Sequence, residues 1–292
     1  IQKYDGVYVS HIRNEAEGLI ESIIETANIG LQANVKVEIS HLKSVGKSNW
    51  GKSDQALDLI EKFSDDGLDI NMDQYPYTAR STMLKALLLN DTFNYENDLS
   101  PMGKSMPNEV LLCSVPNEKS FEGKTLEDIQ KLYDLPITET VNKLLDDVSD
   151  KILVAAFGMN ENDVQNIMKN DLTMIGTDGI DVGSKPHPRA WGTYPRILEE
   201  YVGRLGILTL ENAINKMTHM PAEKFGIKSR GLIKNNYFAD LVIFESDKIK
   251  DNATFTNPKN GPTGIDYVFV NGKKAVEKGH EKDVFSGSII KR

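Results

Sequence analysis

Three times in its first third the chain runs through a short apolar or β-branched stretch that ends on a polar residue, and after the first two it enters a segment with apolar side chains at helical spacing. Val7-Tyr8-Val9-Ser10-His11 is the first stretch, and over 15–31 it is followed by Leu19, Ile20, Ile23, Ile24 and Ala27 on one face, with Gly30 as a stop. Residues 35–41 alternate as a strand ending in His41. A loop rich in Gly, Ser and Lys comes next, and Ser53-Asp54 is expected to cap a helix with Leu57, Ile60 and Phe63 facing inward. Residues 68–73 form the third strand. The strand ends His11, His41 and Asp73 lie 30 and 32 residues apart, the length of one strand-plus-helix unit, so the pattern predicts a parallel sheet built from βα units.

The same grammar continues more loosely. Residues 110–114, 152–157 and 173–178 read as strands, the last ending in Asp178, and 125–133, 137–145, 161–169, 196–204, 209–217 and 222–225 read as helices. Near the end the character changes. Residues 239–244 and 267–270, the latter followed by Asn271-Gly272, read as strands and a hairpin turn without core helices between them. A β/α region over 1–230 and a small β module over 231–292 is the expected organisation.

Composition narrows the classes of function. The 292 residues carry 34 Lys+Arg against 43 Asp+Glu, a formal charge of -9, and show no basic stripe, which argues against binding a phosphate backbone. Apolar runs such as 152–157 are far shorter than the roughly 20 residues a membrane span needs. No secretory signal is visible in IQKYDGVYVS, and the lone Cys113 cannot form an internal disulfide, so a cytoplasmic protein without nucleic-acid or membrane partners is expected. Oligomeric state leaves no trace in the sequence.

In a β/α barrel the loops at the C-terminal ends of the strands converge on the active site. His11, His41 and Asp178 all stand at such ends. Two imidazoles from adjacent strands can hold a divalent metal such as zinc while leaving room for water, and a nearby carboxylate can take that water's proton. Metal-assisted hydrolysis is the chemistry this implies. A histidine at a strand-to-loop turn is often only a hydrogen-bonding loop residue, but His11 and His41 recur in phase with the structural repeat, whereas His187, His219 and His280 do not and read as surface or supporting groups.

The segments YVSHIRNE (8–15), EISHLKSVGKSNWG (38–51), DQYPYTARSTML (73–84), TMIGTDG (173–179), KPHPRAWGTYPR (185–196) and NYFADLVIF (236–244) together resemble the D-aminoacylase (N-acyl-D-amino-acid deacylase) family of the amidohydrolase superfamily. The resemblance implies the C-terminal portion of a TIM-like (β/α)8 metal-dependent hydrolase barrel plus the last strands of a small β-sandwich module. It implies zinc as cofactor and hydrolysis of N-acyl-D-amino acids to a carboxylate and a D-amino acid. His11 and His41 match the family's histidine ligands, and Asp178 matches its general base, later the acid for the departing amine. Arg189 matches the residue that holds the substrate carboxylate, Tyr75 and Ser81 match substrate contacts, and Met159 matches an apolar wall of the side-chain pocket, a position where a methionine could equally be core filler.

Other residues are read more plainly. Lys43 and Lys47 flank the His41 loop and could face an anionic substrate, but lysines in a Gly/Ser loop are usually solvated, and that is the expectation for both. Arg80 stands where family members often have a small residue, and Cys113 is expected to be a small buried hydrophobe. The family also uses an HxH pair and a cysteine on earlier strands, and neither precedes SHIR here. The resemblance therefore implies that this polypeptide alone would fold poorly and bind metal weakly. Two alternatives stand beside the deacylase reading: a cyclic-amidase or dipeptidase-like amidohydrolase, and an inactive truncated remnant.

Overall fold

The computed structural model describes residues 1–94, 96 and 100–290. The opening repeat forms as the periodicity requires: β1 (Val7–Ser10), α1 (Leu19–Ala33), β2 (Lys36–Ile39), α2 (Lys52–Asp65) and β3 (Ile70–Gln74). The three strands are parallel, with Tyr8 opposite Val37 and Val37 opposite Ile70. Because side chains alternate along a strand, Val37, Ile39, Ile70 and Met72 face the helices and pack on Leu19, Ile23, Leu57 and Ile60. Each such buried aliphatic side chain contributes about 1.5–3 kcal/mol. Glu38, Asn71 and Asp73 alternate with these and lie on the opposite face of the sheet.

Helix α2 starts two residues earlier than a cap at Ser53 would place it. Its N-cap is Gly51, at φ 88°, and Ser53 makes no cap bond. The Ser53 hydroxyl instead donates to Asp163 Oδ1 at 2.6 Å, and the Gly51 N–H donates to the same carboxylate, which ties α2 to the next parallel unit.

The strands at 110–114 and 152–157 exist but do not extend the parallel series. A segment at 79–83, invisible to the apolar pattern, forms β4 (Ala79–Met83), followed by α3 (Leu84–Leu89), β5 (Val110–Ser114), α4 (Leu126–Tyr133), α5 (Ile137–Lys143) and β6 (Leu153–Phe157). These strands make a separate antiparallel sheet in the order β4-β6-β5. One face carries Ala79, Cys113 and Ala155. The other carries Val110, Leu112, Val154 and Ala156, packed on Leu84, Leu87, Leu126, Ile129 and Val141 of the three helices.

The parallel series then resumes with α6 (Glu161–Lys169) and β7 (Thr173–Ile175), which pairs with β3 and closes the order β1-β2-β3-β7. Next come α7 (Arg189–Arg196), which runs on as a π-helical stretch to Arg204, α8 (Leu210–Met217) and α9 (His219–Lys224). The last elements are β8 (Leu241–Phe244), β9 (Ile265–Val270), β10 (Lys273–Glu277) and β11 (His280–Glu281), an antiparallel sheet in the order β11-β10-β9-β8. Asn271 and Gly272 form the tight turn between β9 and β10 with φ of 48° and 76°, the doubly left-handed turn that an Asn-Gly pair favours. Among the described residues no helix is long and apolar enough to cross a membrane.

Candidate active site

The loops after β1, β2, β3 and β7 bring one cluster together. His11 follows β1 and His41 follows β2. Their rings meet edge to face with centroids 4.7 Å apart, and His11 Nδ1 lies 3.0 Å from His41 Nε2. The His41 backbone is left-handed, at φ 41°, a conformation uncommon outside glycine. Asp73, on β3, holds it there by accepting the His41 N–H at 3.1 Å.

Behind the two imidazoles stands Glu15, which sequence reasoning passed over. It occupies the position four residues after His11, in the loop leading to α1, and its carboxylate is buried. Glu15 Oε1 lies 3.5 Å from His11 Nδ1 and 3.3 Å from His41 Nδ1, and it accepts from Lys43 Nζ at 2.6 Å. Lys43 Nζ also stands 2.7 Å from His41 Nδ1. The expectation that Lys43 is solvated is therefore wrong: it is 2% exposed, drawn in by a carboxylate that needs a partner. Burial alone would raise the Glu15 pKa, but Lys43 and the two imidazoles outweigh it and hold the group well below the ordinary carboxylate range. Packing on its inner side lowers the pKa of His11, with His41 and Lys43 acting in the same direction against Glu15. A neutral imidazole is the form that ligates a metal.

His11, Glu15 and His41 are the three side chains among the described residues that could share one ion, their ligand atoms all within 4.8 Å of one another. The fit to zinc is close for the two nitrogens, since donors on one tetrahedral zinc with bonds near 2.0–2.1 Å stand about 3.3 Å apart. Glu15, beside His41 Nδ1, is placed to hold the far nitrogen of a ligating imidazole.

Tyr75 links this cluster to the next. Its buried ring has Lys43 Nζ 5.7 Å from its centroid and the Arg189 guanidinium 4.5 Å from it. Arg189 opens α7 and is 1% exposed, and its Nη2 pairs with Asp178 Oδ2 at 2.9 Å. Asp178 follows β7 in a left-handed conformation, φ 45°, and its charge acts on His11. It is not part of the three-residue ligand cluster. Arg189 Nε and Nη1 and the Tyr75 hydroxyl are buried without a hydrogen-bond partner among the described residues. Met159 is buried beside Val45 and Tyr75, and Ser81 is half-buried on β4, opposite Ala155 of β6.

His187 supports the site from within. It is 2% exposed, its Nε2 lies 2.9 Å from the Ala79 carbonyl, and its Nδ1 accepts the Arg189 N–H at 3.1 Å, which fixes the start of α7. Burial pushes its pKa well below the ordinary value. His219 and His280 lie apart from the site, on α9 and β11. Cys113 is buried, with its thiol pushed up to about 12 by that burial, as befits a packing residue. A surface cavity of about 620 Å³ between α2 and α6 contains none of these residues.

Residues 125–276 match the model of the amidohydrolase family. The whole chain is 35% identical to the D-aminoacylase of Alcaligenes xylosoxydans xylosoxydans and covers 56% of that protein. A crystal structure of D-aminoacylase superimposes with a TM-score of 0.88 at 35% identity, over 100% of this chain and 57% of the other. The N-acyl-D-glutamate deacylase of Bordetella bronchiseptica, solved with zinc and a phosphonate mimic of the tetrahedral intermediate, superimposes at 0.84 with 29% identity, over 94% of this chain and 54% of the other. The chain thus spans about half the length of the relatives it matches.

Proposed function

Because the chain belongs to the amidohydrolase family, we propose that it carries the hydrolytic site of a zinc enzyme that cleaves N-acyl-D-amino acids to a carboxylate and a free D-amino acid. The observation that carries the reading is the 3.0 Å approach of His11 Nδ1 to His41 Nε2 at the ends of adjacent parallel strands, backed by a buried carboxylate. The names of the similar proteins, D-aminoacylase and N-acyl-D-glutamate deacylase, support the substrate class.

Each residue then has a task. His11 and His41 would hold zinc, which when bound polarises a carbonyl and lowers the pKa of water to about 7. Glu15 orients His41, and Lys43 keeps Glu15 ionised. Asp178 takes the proton of the attacking water and returns it to the departing amine nitrogen. Arg189 offers its two unpartnered donors, Nε and Nη1, to the α-carboxylate, and Tyr75 adds a hydroxyl from the same buried wall. Ser81 and Met159 line the approach. The ligand is a small molecule, and the cytoplasm is the compartment proposed, resting on the single, buried Cys113.

A cyclic amide is the second reading, and the free donors of Arg189 favour a linear acid over it, since a cyclic amide lacks the carboxylate they fit. The decisive test supplies the protein with zinc and follows amine release from N-acetyl-D- and N-acetyl-L-amino acids and from a hydantoin. Release confined to the D-acids is expected. Turnover of the hydantoin alone, or of nothing, would reject the reading.

A further inference from the structure

One buried cation beside the site has no hydrogen-bonded partner among the described residues. Arg80 lies on β4, opposite Ala156 of β6, and is 3% exposed. All three of its guanidinium nitrogens, Nε, Nη1 and Nη2, are buried without a hydrogen-bond partner among the described residues. Its Nη1 borders Gly158, 3.5 Å from where a Cβ on that glycine would stand, and Val45 Cγ1 stands at the same 3.5 Å distance. Met159 is the next residue, and Val45, Met159 and Tyr75 belong to one packed cluster. Burial disfavours the charged form of Arg80, and the Glu15 carboxylate acts against that burial without touching the guanidinium.

The cations around Tyr75 can be accounted for one by one. Lys43 is neutralised by Glu15, and Arg189 by Asp178. A substrate α-carboxylate would occupy the remaining donors of Arg189 and leave Arg80 as it is. An unpaired buried guanidinium is costly, and a residue such as methionine would fill the same space without that cost, so a purely structural role gives no reason for arginine. Its fork of donors matches a carboxylate, and the small Ala156 and Gly158 are its neighbours.

We propose that Arg80 is a second anion-binding residue of the substrate pocket, which selects N-acyl-D-amino acids carrying a carboxylate in the side chain, such as the D-aspartate or D-glutamate derivatives. The proposal rests on the deacylase reading for the identity of the rest of the ligand. In the complex Arg189 pairs with the α-carboxylate and Arg80 with the distal one, so the second negative charge replaces the missing partner of Arg80.

Titration calorimetry on the zinc-loaded protein with N-acetyl-D-glutamate and its uncharged isostere N-acetyl-D-glutamine, and with the aspartate and asparagine pair, separates the two ideas, because binding is read without turnover. The acid of at least one pair should bind about 100-fold more tightly than its amide, the loss expected when a charge-assisted pair is removed. In Arg80→Met that ratio should fall to near one, and Arg80→Lys, which keeps the charge but not the fork, should lie between. Ratios near one in the parent, or an unchanged ratio in Arg80→Met, would overturn the assignment. Thermal unfolding guards against a misfolded variant: Arg80→Met should melt at or above the parent temperature, whereas a large fall would reveal a structural partner and count against the proposal. Absence of hydrolysis for every N-acyl-D-amino acid would remove the deacylase reading and leave the binding ratio as the test of Arg80.

Discussion

Arg189 Nη2 stands 2.9 Å from Asp178 Oδ2, so the group proposed to anchor the substrate and the group proposed to move its proton share one ion pair. Arg189 is 1% exposed while Asp178 is 34% exposed, which makes the arginine the partner that cannot do without its counter-charge. Asp178→Asn should lower kcat by about 10²–10⁴, the usual contribution of a general acid–base group, with a smaller change in KM. Arg189→Lys, which loses the planar fork, should raise KM for N-acyl-D-amino acids instead. Steady-state kinetics on both variants checks the split, and a kcat unaltered in Asp178→Asn would remove the aspartate from the reaction.

Glu15 and Lys43 form a second pair, 2.6 Å apart and buried on both sides. Removing one partner of a buried pair strands the other, at about 3–5 kcal/mol, while removing both is far less damaging. Glu15→Gln and Lys43→Met should each lower the melting temperature, and the double variant should fall less than the sum of the two. Glu15→Gln should also weaken zinc binding by about 10–100-fold, because it disturbs the carboxylate beside His41 Nδ1. Chelator competition measures that loss. Unchanged zinc affinity would show that Glu15 serves packing only.

What the sequence reveals and hides here follows the range of the interactions. The units holding β1, β2 and β3 were legible because one apolar period covers strand and helix alike, and His11 and His41 were legible because they repeat in phase with it. The sheet β4-β6-β5 was not: the alternation in Ala79–Met83 is polar, and its partner lies some 70 residues away, where no local pattern reaches. Helix α7 was expected only from Arg196 onward, whereas it begins at Arg189 and passes through Gly192 and Pro195. Lys43 and Arg80 were misread or left open for one reason. A cation in a polar segment reads as solvated until a buried carboxylate, or a buried void of partners, is known to stand beside it. The spacing of Glu15 four residues after His11 was the available signal for the first.

Glu38 makes stability depend on pH. It is 1% exposed on β2. Burial is the main cause that raises its pKa to about 9, with Asp73 and Asp69 adding to the rise and Lys224 of α9 opposing it. Its neighbour on β1 is Val9, which has no charge to offer. Below the ordinary value near 4.5 both folded and unfolded chains hold the proton, and Glu38 has no effect. Between about 4.5 and 9 the unfolded chain has released the proton and the folded chain has kept it, so stability falls as pH rises through that window. Glu38→Gln should remove the fall, giving a variant more stable than the parent by on the order of 3 kcal/mol at neutral pH and equal to it near pH 4. Denaturant melts at several pH values test this, and a variant less stable than the parent at pH 8 would refute it.

Gly176 shows how closely the parallel strands approach behind the site. A Cβ at this position would lie 2.4 Å from Asp73 Oδ1 and 2.9 Å from its Cγ, closer than side-chain atoms tolerate. Asp73 is the acceptor that holds His41 in its left-handed turn, so a methyl group at 176 should displace the carboxylate and release the turn that aims His41 at His11. Gly176→Ala should therefore cost about 1–3 kcal/mol through overpacking and weaken zinc binding as well. Asp73→Ala removes the clash together with the acceptor. If the two substitutions act through the same contact, the double variant should lose little more zinc affinity than Asp73→Ala alone. Fully additive losses would show that Gly176 acts on the site by a route that bypasses Asp73.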